Sequence, residues 1–121
     1  MRILVVEDEV ILGDSIVTIL KHGLDAEIDL ARDGPTAAAL AARTRYDLVV
    51  LDWWIPPPTG IELLQRWRAD DAVGSVLMLT GSLTGPERGE ALAAGADDFL
   101  EKPFSLSELR ERAAVLLEPS G

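Results

Sequence analysis

Three carboxylates, a hydroxyl and an ammonium fall at four corresponding places in the chain. Glu7 and Asp8 follow Arg2-Ile3-Leu4-Val5-Val6, and Asp52 follows Asp47-Leu48-Val49-Val50-Leu51. Thr80 follows Ser75-Val76-Leu77-Met78-Leu79, and Lys102 follows Asp98-Phe99-Leu100-Glu101. Each preceding run reads as a strand. In an open parallel sheet all carboxyl ends of the strands open onto one edge, where ligands bind. The pattern therefore predicts one shared site. Carboxylates crowded there would repel and raise one another's pKa. A divalent cation such as Mg²⁺ relieves this, because it takes hard oxygen ligands and needs only a couple of carboxylates plus a phosphate oxygen. The lysine and the threonine suit a phosphoryl group. Taken singly, the residues have ordinary roles as helix-terminal acids, turn formers, caps or solvated charges. Their conjunction at four strand ends is what those roles leave unexplained.

Positioning these residues requires a regular alternation of elements. Strands are expected at 2–6, 26–30, 47–51, 75–79 and 97–101, with helices near 9–21, 34–44, 60–69, 86–94 and 105–117. Runs such as Ile3-Leu4-Val5-Val6 and Leu48-Val49-Val50-Leu51 are continuous rather than alternating, as in strands covered on both faces. Five such repeats predict an α/β, doubly wound (βα)5 three-layer sandwich with right-handed crossovers. Lys21-His22-Gly23 reads as a helix end with a C-cap glycine. Ser105-Leu106-Ser107-Glu108 and Thr84-Gly85-Pro86-Glu87 read as capping boxes. In the last helix Leu106, Leu109, Ala113, Leu116 and Leu117 form an apolar stripe for core packing.

Composition narrows the classes. The 121 residues make one domain, 48% apolar and 26% charged, with no cysteine and one histidine. Disulfides, thiolate metal sites and a cysteine nucleophile are excluded. The net charge of −10, from 11 basic and 21 acidic residues, argues against direct nucleic-acid binding and against an anionic membrane surface. No apolar run approaches the roughly 18 residues of a membrane helix, and the first apolar run is too short for a signal-peptide core. The expected compartment is the cytoplasm.

Val6-Glu7-Asp8-Glu9, Leu51-Asp52 with Pro56 and Gly60, Leu79-Thr80-Gly81, and Gly95-Ala96-Asp97-Asp98-Phe99-Leu100-Glu101-Lys102-Pro103-Phe104 match in order, spacing and context. On these residues the chain resembles the receiver domain of two-component response regulators, over essentially its whole length. The resemblance implies a flavodoxin-like parallel sheet of order 2-1-3-4-5. It makes Asp52 the phosphoacceptor, taking a phosphoryl group from a sensor histidine kinase. It makes Asp8, Asp52 and the backbone carbonyl of Trp54 ligands of Mg²⁺ (or Mn²⁺), with Glu7 acting through a water. Thr80 and Lys102 would engage the phosphoryl group, Phe99 would be an aromatic switch swinging inward as Thr80 moves to the phosphate, and Lys102-Pro103 would be cis. Ile11, Leu12, Ser15, Pro103 and Phe104 are candidate kinase contacts. Arg88, Asp97, Asp98, Glu108 and Arg112, on the fourth helix, fifth strand and fifth helix, resemble the charged dimerisation face of the OmpR/PhoB winged-helix class. That likeness implies a phosphorylation-dependent homodimer in transcription regulation. The receiver is expected over 1–118, with 119–121 a tail or the start of a linker to an output domain. Such a receiver is not an enzyme, although it assists its own phosphotransfer and dephosphorylation.

One loop departs from the family pattern: Trp53-Trp54-Ile55-Pro56-Pro57-Pro58-Thr59-Gly60. Three prolines stiffen it. Trp54 either overhangs the site and shields an acyl phosphate or packs on a neighbouring loop. Ser82 stands at another position that tunes phosphate lifetime in the family. Two competing readings are disfavoured. A phosphorylation-independent receiver-like interaction module usually lacks one or more of the chemical residues. An aspartate-nucleophile hydrolase wants a second acid two residues after its nucleophile, where this chain has Trp54. No Gly-x-Gly-x-x-Gly follows the first strand, and no Gly-Lys-Ser/Thr loop exists, which counts against a nucleotide enzyme.

Overall fold

The computed structural model of the chain describes residues 1–81 and 86–118. Among these, strands and helices alternate: β1 (Arg2–Val6), α1 (Val10–Gly23), β2 (Glu27–Ala31), α2 (Gly34–Arg43), β3 (Leu48–Asp52), α3 (Gly60–Asp70), β4 (Ser75–Thr80), α4 (Pro86–Ala94), β5 (Asp98–Glu101) and α5 (Leu106–Leu117). The strands form one parallel sheet in the expected order β2-β1-β3-β4-β5.

The continuous apolar runs of β1, β3 and β4 feed two cores because successive side chains point to opposite faces. Leu4, Val6, Val49, Leu51, Val76 and Met78 pack with Trp53, Leu63, Leu64 and Trp67 under α2, α3 and α4. Ile3, Val5, Leu48, Val50, Leu77 and Leu79 pack with Ile16, Leu20, Leu109 and Ala113 under α1 and α5. The stripe on α5 serves the second core: Leu109 and Ala113 are fully buried, and Leu106, Leu116 and Leu117 pack beside them.

Local corrections have physical causes. Asp52 and Thr80 are the last residues of β3 and β4 rather than residues just past them. Pairing continues through Asp52 opposite Leu79 and Thr80 opposite Glu101. Gly23 is not a left-handed cap; it ends α1, and Leu24 caps it in an extended conformation with its N–H on Leu20 O at 2.9 Å. Leu24 packs against the core, so the chain runs directly toward β2. At α5, the Ser105 hydroxyl accepts from the Glu108 amide at 3.1 Å, while the Glu108 carboxylate turns to Arg112. The box there is half formed. The complete capping box lies at α3, between Thr59 and Glu62. The expected box at Thr84-Gly85, the Ser82 position and the 119–121 tail lie outside the described residues.

Candidate functional site

The carboxyl edge of the sheet holds the predicted residues. Glu7 continues the ladder past β1, donating its N–H to Ala31 O at 3.0 Å, and its side chain is fully buried. Asp52, at the end of β3, is 4% exposed. The loop after it folds back hard: Gly60 N–H donates to Trp53 O at 2.9 Å. A Cβ on Gly60 would stand 2.2 Å from the Asp52 carbonyl oxygen, so only glycine lets α3 start there. Asp8 is exposed at the rim. One carboxylate oxygen from each of Glu7, Asp8 and Asp52 lies within 4.8 Å of the others.

Lys102 follows β5. Its amide donates to Thr80 O at 2.7 Å, and the Lys102-Pro103 bond is cis, as is Pro57-Pro58. Its ammonium reaches Glu7 Oε1 at 2.9 Å and Asp52 Oδ2 at 3.3 Å. Burial pushes the Glu7 carboxyl up, from 4.5 to about 7. Its hydrogen bond with Asp52 adds to this, and Lys102 offsets only part. Burial draws the Lys102 ammonium down, but its hydrogen bond to Glu7 and the charges of both acids outweigh that and leave it raised. The arrangement is thus charge-strained: two buried acids, one cation, and a third acid at the rim. Its donor set consists of hard oxygens in close reach of one another, which fits Mg²⁺.

Thr80 is buried at 3% exposure. Phe99 already stands inward, packed in the core and 8% exposed, so the expected inward swing has no outward start here; the Arg88 guanidinium lies 5.8 Å above its ring and Arg112 donates to its carbonyl at 3.0 Å. Of the charged face, Arg112 gathers Asp98 at 3.0 Å and Glu108 at 3.4 Å. Asp97 is engaged elsewhere, by Arg68 of α3 at 2.6 Å and by the Val76 amide at 2.7 Å. Arg68 was not singled out by sequence; nothing in Arg66-Trp67-Arg68 separates a buried clasp from a solvated helix face.

Trp53 is buried in the core, whereas Trp54 is 66% exposed, with the two rings 6.2 Å apart and tilted by 32°. The Trp54 backbone meets the site through its N–H, 3.4 Å from Asp52 Oδ1. The proline loop rests on α2, Pro56 O accepting from Gly34 N–H at 3.2 Å. On the opposite side of the acids, Ile11 is 83% exposed and borders a groove of about 580 Å³ with Leu12, Ser15 and Phe104. Leu12 is also partly in the core. No helix among the described residues is long and apolar enough to cross a membrane.

Residues 3–114 match the response regulator receiver domain family. The transcriptional regulatory protein QseB of Haemophilus influenzae is 40% identical over 118 residues, covering 97% of this chain and 52% of that protein. CutR of Streptomyces coelicolor, also named a transcriptional regulatory protein, is 40% identical over 116 residues, covering 96% and 53%. The chain spans about half the length of these relatives. Among solved structures, the receiver domain of the Francisella response regulator 1452 superposes with a TM-score of 0.89 at 32% identity, covering 96% of this chain and 95% of that one. The chemotaxis response regulator CheY4 of Vibrio cholerae gives 0.87 at 30%, covering 96% and 98%. Sheet order, the acids at its carboxyl edge and the family match across nearly the whole chain agree, and the chain belongs to the response regulator receiver domains of two-component systems.

Proposed function

We propose that Asp52 accepts a phosphoryl group from a phosphohistidine of a sensor kinase. The observation that carries this reading is the Lys102 ammonium set between Glu7 and Asp52, 2.9 and 3.3 Å away, beside the three clustered acids. A carboxylate oxygen of Asp52 attacks phosphorus, the P–N bond breaks, and the imidazole leaves with the bonding electron pair. Phosphoryl transfer asks chiefly for alignment and neutralised charge. Glu7, Asp8, Asp52 and the Trp54 carbonyl would hold Mg²⁺, Glu7 through a water. When bound, that cation supplies positive charge to the phosphoryl oxygens. Lys102 turns from Glu7 to a phosphoryl oxygen, and the Thr80 hydroxyl donates to another. The new dianion makes that rearrangement favourable. Phe99 holds the inward position as Thr80 shifts, and the α4–β5–α5 surface responds.

The groove at Ile11, Leu12, Ser15 and Phe104, with Pro103, is the docking face for the kinase. Arg88, Asp98, Glu108 and Arg112 are assigned to a phosphorylation-dependent homodimer; Asp97, expected on the same face, is held within the chain by Arg68 and the Val76 amide. Relatives named as transcriptional regulators and about twice this length support a role in transcription. In that reading residues 1–118 are the receiver, and DNA contact belongs to an output domain rather than to this acidic one. The domain acts in the cytoplasm as a phosphoacceptor switch, not as an enzyme.

Intact-protein mass after incubation with Mg²⁺ and acetyl phosphate tests the reading. Wild type should gain about 80 Da, the mass of one phosphoryl group, and Asp52→Asn should gain nothing. No gain in folded wild type with either acetyl phosphate or a phosphorylated kinase as donor would reject it.

A further inference from the structure

The cation of the site hangs from a fragile support. β5 has four residues, Asp98–Glu101, and is an edge strand paired with β4 alone. A one-residue slip in register would turn every β5 side chain to the other face. Lys102, the next residue, would leave Glu7 and Asp52. At its carboxyl end the Lys102 amide on Thr80 O, 2.7 Å, holds the pairing; a second hold lies at its start.

That start is clasped by one side chain. Asp97, immediately before β5, donates its N–H to Val76 O at 3.0 Å. Its Oδ2 accepts from the Val76 amide at 2.7 Å and from Arg68 Nη2 at 2.6 Å. Arg68 also donates through Nε to Gly95 O at 2.9 Å, and through Nη1 to Gly74 O at 2.7 Å and Val73 O at 3.3 Å. One guanidinium therefore ties the turn before β4 to the turn before β5. Gly95 admits it: its φ is +101°, and a Cβ there would stand 2.7 Å from Arg68 Cγ. The planar fork is what the site uses, since a lysine ammonium cannot span acceptors on both turns. Arg112 holds β5 from its other side, through Asp98 and the Phe99 carbonyl. Those bonds run to α5 and do not fix β5 against β4.

We propose that Arg68 is a positioning residue for the site: by locking Asp97 to β4 it sets the β4–β5 register that delivers Lys102 to Glu7 and Asp52. Its bearing on phosphotransfer rests on the phosphoacceptor reading above; its bearing on register does not. The clasp lies at the amino edge of the sheet, at the opposite end of β5 from the chemistry it supports.

Arg68→Met tests this, with Arg68→Lys as a milder variant should the first fail to fold and the exposed Arg66→Met as a control for charge loss on the same helix. Residue-resolved hydrogen exchange on the unphosphorylated chain is the first readout. Loss of a charge-assisted hydrogen bond predicts that the Lys102 amide exchanges about tenfold faster or more in Arg68→Met. Amides of β1 and β3 and all of Arg66→Met should stay at wild-type rates. An unchanged Lys102 amide, or acceleration spread equally over β1, β3 and β5, overturns the proposal. The second readout is the initial rate of phosphoryl uptake from acetyl phosphate in Arg68→Met, Lys102→Ala and the double variant. A residue acting through Lys102 slows uptake in the wild-type background and adds nothing in Lys102→Ala. Additive losses overturn the positioning role. If wild type takes up no phosphoryl group, the phosphoacceptor reading and the catalytic half of this proposal fall together, and the exchange result still decides the register.

Discussion

Replacing Glu7 with glutamine should stabilise the metal-free protein above neutral pH. Glu7 is fully buried, and its carboxyl is pushed from 4.5 to about 7, chiefly by burial and then by the hydrogen bond with Asp52. A folded pKa above the unfolded one contributes stability that is complete below 4.5 and lost as pH rises through about 7. At about 1.4 kcal/mol per pH unit, that interval is worth about 3 kcal/mol. Glutamine keeps the shape and an acceptor for Lys102 but cannot ionise. Glu7→Gln should therefore match wild type near pH 4.5 and exceed it by up to about 3 kcal/mol at pH 8, in chelator. Urea unfolding at both pH values measures this. Adding Mg²⁺ at pH 8 should raise the stability of wild type more than that of the variant, because the cation compensates the ionised acid. A variant less stable than wild type at pH 8, or a gap of equal size at both pH values, would mean that ionising Glu7 does not destabilise the fold.

Other perturbations follow from the same geometry. Gly60→Ala drives a methyl to 2.2 Å from the Asp52 carbonyl; it should cost about 2–4 kcal/mol in urea unfolding and slow phosphoryl uptake, because α3 must shift away from β3. Tyr46 is fully buried with its hydroxyl 2.6 Å from Asp29 Oδ2, so Tyr46→Phe should cost about 1.5–3 kcal/mol at neutral pH. Burial first, then Asp29, raises the Tyr46 phenol from 10.0 to about 12; its contribution is complete below 10 and lost as pH rises through about 12, a dependence the Phe variant should lack on alkaline titration. If Trp54 shields an acyl phosphate, Trp54→Ala should shorten its lifetime in a dephosphorylation time course; an unchanged lifetime assigns the exposed ring to surface packing alone.

The doubly wound α/β class and the residues of the acid cluster were legible because they rest on strong signals, whereas the strand order came from the family resemblance. Continuous apolar runs mark strands covered on both faces, and a parallel sheet sends all their carboxyl ends to one edge. Strand limits were less legible, since ladder pairing and not hydropathy decides where a strand stops; Asp52 and Thr80 are polar yet paired. The Thr59-Gly60-Ile61-Glu62 capping box had a readable pattern, but the adjacent prolines drew the reading to the loop instead. Gly23 carried a cap signal that Leu24 overrode by packing on the core. Asp97 reads from sequence as part of a charged dimerisation face beside Asp98. Its attachment to Arg68 and Val76 depends on a long-range approach of α3 to the β5 start, which no local pattern encodes.

The central claim is that Asp52 itself carries the phosphoryl group. Borohydride reduces an aspartyl phosphate to homoserine, so trapping after incubation with Mg²⁺ and a phosphoryl donor, followed by peptide sequencing, reads the acceptor directly. Homoserine is expected at position 52, absent in chelator and absent in Asp52→Asn. Homoserine at position 8, or an unmodified position 52 in protein whose mass shows a bound phosphoryl group, would contradict it.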